Sequence, residues 1–479
     1  MNVEKITDWL WRISRSGDMR VPVHIFASEA LMEVLHQDQS LQQAVNIAHL
    51  PGIVKASLAM PDIHTGYGFP IGGVGAFDPE NGGIISPGGI GYDINCGVRT
   101  ITTDLSENDV SKRLDKLLDR LFEIIPAGVG ASKAVPKLTT RELEQAVSRG
   151  SEWAIAQGYG WGEDRERTEN AGCMQEADPY VVSRQAVERG LNQLGTLGAG
   201  NHFLEIDVID EIFDEQIADT FGLKKGSISI QIHCGSRGYG HQICTDYLQV
   251  MQRAAKKYNI KLPDRQLACA PLVSQEGKDY FAAMACAANF AWANRQIVMH
   301  LVRKAFADVF EKTADSLNLR LLYDVCHNVA KYEDHLVNGV EKSLCVHRKG
   351  ATRAFPAGHP EVPGIYQAAG QPVLIPGDMG TFSYILAGKE ESMEQSFGST
   401  SHGAGRLMSR KAALRSTEQR NIADELEKQG IKVRARTMKT LGEECSDAYK
   451  SISEVVQVVH AAGLAGKVAK LRPIGVIKG

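Results

Sequence analysis

The chain has 479 residues, 43% of them hydrophobic, and a formal net charge of −4. Its length suits one large domain or two to three closely packed ones, and its charge excludes a global positive field, so contact with a polyanion must come from local patches. Nine cysteines, an odd number with no Cys-x-x-Cys pair, fit a reducing cytosol rather than a secreted disulfide framework.

Residues 3–15 and 28–37 have apolar residues at helical spacing, as in Ile6, Leu10 and Ile13, and predict two short helices. The amphipathic, acid-bearing start is not that of a signal peptide. Between Gly66 and Gly97, eleven of 32 residues are glycine; average usage gives about two. Short runs such as Ile71–Phe77 interleave with them and predict tight strands and turns. Asp62 and His64 alternate with Ile63, so a strand would place both on one face. The stretch Gly91-Tyr92-Asp93-Ile94-Asn95-Cys96-Gly97 puts a carboxylate and a thiol three positions apart, where one tight turn can aim both at one point.

Residues 106–125 and 139–157 predict helices, with Ser106 and Asn108 as caps. The polar segment 158–182 predicts a surface loop or insertion, and Ser183–Arg189 starts another helix. Three β-rich runs each contain or end in a histidine. They are Gly200-Asn201-His202-Phe203-Leu204-Glu205-Ile206, Ser227–Ile232 before His233, and Leu319–Val325 before Cys326-His327. Residues 275–313 predict one long helix; its apolar run Tyr280–Ala293 is too short to span a bilayer. A strand over Gln371–Met379 precedes Ser401-His402-Gly403-Ala404-Gly405-Arg406, whose glycines, imidazole and guanidinium suit close approach to a phosphate. Residues 417–429 predict a helix. Lys432, Arg434 and Arg436 would give a strand one basic face. No repeat or interdomain linker is evident, and a cytoplasmic protein without membrane attachment is expected.

Asp93, Cys96, His202, His233 and His327 are therefore candidate ligands for one or two divalent ions, with zinc the first choice for mixed thiolate and imidazole donors. His402 sits apart from that set and can act as acid, base or nucleophile beside phosphates. The residues alone point to a metal-dependent enzyme acting on phosphates.

These motifs, with Pro61-Asp62-Ile63-His64-Thr65-Gly66-Tyr67-Gly68, Gly235-Ser236-Arg237-Gly238 and His327-Asn328-Val329-Ala330, resemble those of the RtcB family of RNA-splicing ligases. The resemblance covers nearly the whole chain. It implies an α+β fold in which one compact catalytic domain, residues 1–479, has central sheets surrounded by helices. It implies a GTP-dependent ligase joining RNA 3′-phosphate or 2′,3′-cyclic phosphate ends to 5′-hydroxyl ends, in tRNA splicing or RNA repair. Two Mn²⁺ ions replace the zinc expectation, held by Asp93, Cys96, His202, His233 and His327 with Cys96 bridging the two ions. The guanylylated histidine maps onto His402. The guanylate pocket maps onto Asn201, His202, Phe203, Leu204 and Glu205, onto His327 and Asn328, onto Pro376, Gly377, Asp378, Met379 and Ser383, and onto His402, Gly403, Ala404, Gly405 and Lys478. Glu205 is the expected reader of guanine. Asp62, His64, Arg237, Arg353 and Arg406 are candidate RNA or phosphate contacts. The implied partners are tRNA halves or broken RNA, and an archease-type activator. Asp378 departs from the family's loop, where serine is expected; a carboxylate there would repel a triphosphate, bind a metal or point at guanine. The competing readings are a binuclear metal-dependent phosphoesterase and a metal-stabilised RNA-binding module.

Overall fold

The computed structural model describes residues 2–479 as a mixed α+β architecture built around two large sheets. The first has seven strands, in the spatial order Val3–Lys5, Leu10–Ile13, Val23–Phe26, Ser57–His64, Ile71–Phe77, Val340–Lys349, Asn328–Val337. The second has eight. Along it run Arg320–Cys326, Gly97–Ser106, Ser227–Cys234, Phe203–Ile212, Ala465–Lys478, Ser383–Gly388 and Pro372–Ile375, and Lys432–Ala435 pairs parallel to Ala465–Lys478.

The second sheet positions the site through its antiparallel pairing. Cys326 lies opposite Gly97, Gly97 opposite Cys234, and His233 opposite Phe203. Strands that alternate in direction bring alternate termini to one edge. The start of Gly97–Ser106, the end of Ser227–Cys234, the start of Phe203–Ile212 and the end of Arg320–Cys326 all reach that edge. Lys478, opposite Phe203, reaches it too.

The long helix Gln275–Phe310 runs through the core, alanine-rich and almost wholly buried. Ser274 caps its start, accepting from the Gly277 N–H, and Glu311 ends it at φ +56°. Its buried polar side chains Asn289, Asn294, Arg295, Gln296 and Arg303 all bond to the surrounding segments.

The structure corrects several expectations. Residues 3–15 form two paired strands rather than a helix. The Thr7 hydroxyl accepts from the Trp9 and Leu10 N–H groups and turns the chain, and Leu10–Ile13 then pairs with Val23–Phe26. Sheet pairing over this stretch overrides its helical apolar spacing. The helix expected over 106–125 breaks at Arg113, and that over 139–157 breaks at Gly150, where φ is +54°. The helix expected over 417–429 spans only Ile422–Lys428. The segment 158–182 is more than a surface loop: it drives Asp164 and Glu169 into the core, where Asp164 pairs with Arg303 and Glu169 with Lys331. The basic strand is neutralised within the molecule, Lys432 by Asp115 and Arg434 by Asp119. All nine cysteines are buried and unpaired.

Burial opposes ionisation of Glu169, yet Lys331 and Arg353 outweigh it and hold its carboxyl at about 2, below the ordinary 4.5. A depressed folded-state pKa contributes stability above the unfolded value, lost as pH falls through the folded one. Acid titration should therefore show a loss on the order of 3 kcal/mol between roughly pH 4.5 and 2 from this group. In Glu169→Gln the dependence of urea unfolding on pH over that window should flatten.

Candidate functional site

Five side chains converge at the sheet edge. The turn Asp93–Cys96 is closed by the Cys96 N–H donating to the Asp93 carbonyl at 3.0 Å, with Asn95 at φ +51°. Cys96 Sγ lies 3.3 Å from His202 Nε2 and 3.2 Å from His233 Nε2. His233 Nε2 is 3.2 Å from His327 Nε2, and His202 Nε2 is 2.7 Å from Asp93 Oδ2. Two donor trios result, Cys96–His233–His327 and Asp93–Cys96–His202, with Cys96 common to both. Gly198 makes room for one ring: a Cβ there would lie 1.7 Å from His202 Nδ1.

The protonation chemistry is mixed: burial opposes charge on His202, but Cys234, Cys96 and Asp93 push it well above the ordinary range, so it would have to shed a proton to bind a cation. Burial, then the charges of His402 and neighbouring histidines, push His233 and His327 well below the ordinary range, so both are neutral imidazoles ready to donate a lone pair. Burial disfavours the Asp93 carboxylate, but His202 and Arg237 hold it at about 2. Burial and Asp93 push the Cys96 thiol up to about 12. A thiolate there needs a cation to replace its proton, which is how soft-ligand metal sites form. The donor set and its shared sulfur fit two divalent ions.

A cavity of about 290 Å³ opens on Cys96, His233 and His327 and also holds His402. The His402 ring is 4.9 Å from that of His327. Its Nδ1 is 2.6 Å from Asp62 Oδ2, which also accepts the His402 N–H at 2.9 Å. In the neutral ring with Nδ1–H donating to this carboxylate, Nε2 is the nitrogen that has the lone pair. Burial opposes the Asp62 charge, and His402 more than offsets it. The loop must pass close over this strand: at Gly405, φ is +75° and a Cβ would lie 2.1 Å from the Asp62 carbonyl oxygen.

Asn201, Phe203, Asn328, Pro376, Gly377, Asp378, Met379, Gly403, Ala404, Gly405 and Lys478 line the same cavity, as do His64 and Arg406. Other expected residues lie elsewhere. Leu204 packs into the core on the opposite face of its strand. Ser383 supports the loop from behind, accepting the Gly377 N–H at 3.1 Å. Glu205 is buried outside the cavity lining; Gln231 bridges it to Asp207, and burial and Asp207 push its pKa well up. Asp62 is no phosphate contact: it is fully buried against His402. Arg353 is also withdrawn, 1% exposed and held by Glu361 and Gln371. Arg237 lies outside this cavity, bonded to Thr196 Oγ1 and the Gly128 and Leu197 carbonyls. Asp378 turns both oxygens to protein donors, accepting from the Gly380 N–H and Thr381 Oγ1 of its own loop and from Ser446 Oγ of a distant segment. Its carboxylate thereby shapes the loop.

Sequence reasoning missed Tyr67, Lys349, Arg410, Glu444 and Tyr449, which also line the cavity. Lys349 donates to the Tyr67, Phe69 and Gly88 carbonyls, and burial lowers it to about 7. Its only sequence signal was a basic run, Arg348–Arg353.

The family model described as tRNA-splicing ligase RtcB matches residues 43–479. The chain is 53% identical to the tRNA-splicing ligase RtcB of Archaeoglobus fulgidus, covering 100% of both chains. It is 51% identical to that of Thermococcus kodakarensis, over 100% of this chain and 99% of the relative. It is 53% identical to that of Methanococcus maripaludis, over 98% and 97%.

Cys96→Ala should lose both metal positions, because the one atom common to the two trios is gone. Metal analysis after gel filtration should find well under one tightly held ion per chain, against about two for the parent. Two retained ions in the variant would overturn the bridging assignment.

Proposed function

The chain belongs to the RtcB family of tRNA-splicing ligases, and from that premise we propose that it seals RNA through a guanylylated His402. It is an RNA ligase of tRNA splicing. Its substrates are RNA 3′-phosphate or 2′,3′-cyclic phosphate ends and 5′-hydroxyl ends, its cosubstrate GTP, and its place of work the cytoplasm. No helix among the described residues is long and apolar enough to cross a membrane. An archease-type activator is the partner that the resemblance implies.

The observation that carries this reading is His402 Nδ1 bonded to a buried carboxylate beside a cavity shared with the metal-ligand cluster. His202, His233 and His327 turn Nε2 toward Cys96 or one another; a nitrogen engaged with a metal cannot attack phosphorus. Two Mn²⁺ ions held by Asp93, Cys96, His202, His233 and His327 supply Lewis-acid stabilisation of phosphoryl transfer.

His402 Nε2 attacks the α-phosphorus of GTP, forming a P–N bond as pyrophosphate leaves. Asp62 keeps the proton on Nδ1 and stabilises the imidazolium charge that develops. The RNA 3′-phosphate then displaces His402 from GMP, giving an activated 3′ end. The 5′-hydroxyl oxygen attacks the RNA phosphorus, its proton is lost, and GMP leaves. A cyclic phosphate is first opened by water to a 3′-phosphate. Lys478, Arg406 and Arg410 are the cations on the cavity wall, Arg406 and Arg410 sharing the Glu444 carboxylate that a phosphate would have to compete with. The resemblance assigns guanine recognition to Glu205, which in this structure lies buried beside Gln231 and Asp207, outside the cavity lining.

His402→Ala should lose labelling by α-³²P-GTP and ligation of 3′-phosphate RNA, yet still seal RNA supplied with a guanylylated 3′ end. Label in the parent should be acid-labile and alkali-stable. A phosphoesterase or a binding module would retain no label, and label mapping to a lysine would overturn the assignment. Asp62→Asn should slow labelling by roughly 100-fold or more while leaving the sealing of pre-activated RNA near the parent rate. Equal losses in both steps would sink the positioning role of Asp62.

A further inference from the structure

The carboxylate behind His402 lacks a partner on one side. Asp62 Oδ2 accepts from His402 Nδ1 and from the His402 and Gly403 N–H groups. Asp62 Oδ1 is buried with no hydrogen-bond partner among the described residues. A fully buried carboxylate with one bare oxygen needs a countercharge close by. The ammonium of Lys450 is placed to supply it. This side chain is 4% exposed. It donates to the Pro61 carbonyl at 3.3 Å and to the Ile63 carbonyl, and these two residues flank Asp62 in the chain. Both acceptors are neutral, and Lys450 forms no ion pair among the described residues. Its charge is therefore left to act on Asp62 across one strand of backbone.

The surroundings leave these two charges to each other. Burial lowers Lys450 to about 8, against the pull of Asp62, Asp38 and Glu454, so the ammonium is charged at neutral pH. Asp38 is occupied by Thr65 Oγ1 and Glu454 by Ser28 Oγ. His64 donates to the Asp62 carbonyl, and burial holds it at about 4, so it adds no charge. Burial opposes the Asp62 charge, and His402, then Lys450, outweigh it. Lys450 is also tied to the nucleophile loop, its N–H donating to the Gly405 carbonyl at 2.9 Å. The next residue, Ser451, caps the helix Ile452–Ala461. One residue thus locks the strand of Asp62, the loop of His402 and a helix start together.

The chemistry of the second step shows what this charge does. In the adduct, GMP sits on His402 Nε2 and a proton on Nδ1. An oxygen of the RNA 3′-phosphate bonds to the GMP phosphorus, the Nε2–P bond breaks, and its electron pair returns to the ring. With the proton on Nδ1 the ring departs as neutral imidazole. With that proton lost to Asp62 it would depart as imidazolate, a far poorer leaving group. We propose that Lys450 is a positioning residue for GMP transfer, its ammonium keeping Asp62 ionised so that the Nδ1 proton stays on the His402 ring. The inference deepens the ligase reading and rests on it.

The test separates two rates, labelling by α-³²P-GTP and transfer of GMP from the isolated adduct to RNA 3′-phosphate. Lys450→Met should slow transfer about 100-fold. Labelling should suffer much less, because a more basic Asp62 still takes up the ring proton as GMP is loaded. Lys450→Arg keeps the charge and should recover most of the transfer rate. Sealing of RNA with a pre-formed guanylylated 3′ end should match the parent in both variants. A lysine that only holds the fold would cost labelling, transfer and sealing alike, and that result overturns the inference. So does a Lys450→Arg protein as slow in transfer as Lys450→Met. The parent gives a check that does not depend on any variant folding. In its adduct made with ¹⁵N-histidine, the ring nitrogen not coupled to phosphorus should show a one-bond coupling to a proton; a bare Nδ1 overturns the inference. Those results sink the role of Lys450 alone. If the parent takes no label from GTP, the ligase reading falls and this role falls with it.

Discussion

The site depends on one buried guanidinium. Arg295, fully buried in the middle of the helix Gln275–Phe310, makes five hydrogen bonds. Two go to the carboxylate of Asp324, two to the carbonyl and side chain of Asn95, and one to the Cys234 carbonyl, all between 2.7 and 2.9 Å. Asn95 lies in the Asp93–Cys96 turn, Cys234 follows His233, and Asp324 precedes His327 by three residues. One planar, rigid group thus sets the spacing of three ligand-bearing segments. A charge so deep is tolerable only when every donor is satisfied. Losing one partner would leave a buried charge uncompensated and loosen the ligand geometry at the same time.

Around this anchor the backbone closes a second set of ties. The Asn95 N–H donates to the Asn328 carbonyl at 2.7 Å, and Asn328 Nδ2 donates to the Asp93 carbonyl at 3.1 Å. Asn328 Oδ1 accepts from the Gly350 N–H, at the far end of the hairpin that Asn328 begins. The same hairpin carries Lys349 to the cavity wall, and the buried pair Arg348–Glu333 braces its middle. The metal-ligand edge of one sheet and the cavity wall from the other are thereby one mechanical unit.

The electrostatics of the centre follow from its dryness. Low dielectric keeps two histidines neutral and one thiol protonated until cations arrive. A cation bound there would have to displace the Cys96 proton, so occupancy and charge would change together. His402 is kept out of the ligand set by the carboxylate on its other nitrogen, which gives two nearby imidazoles different tasks.

Local chemistry was readable along the chain. The Asp93–Cys96 turn, the three histidines at strand ends, the glycine-rich loop around His402 and the long apolar helix each carry their signal within a few residues, because ligand type, turn geometry and periodicity are short-range properties. The alternation of strand directions that gathers the ligands at one edge was not readable, since pairing partners are set by burial across the whole chain. Residues 3–15 show the same limit, their helical spacing yielding to neighbours in a sheet. Charge partners were the least legible. Asp62 finds His402 across 340 positions, Arg353 is claimed by Glu361 and Glu169, and Asp378 is claimed by Ser446 and its own loop. A charged side chain looks free for a ligand in sequence. Only the tertiary structure decides whether another part of the chain has already met its demand for a partner, because that demand is settled through space and at the low dielectric that folding itself creates.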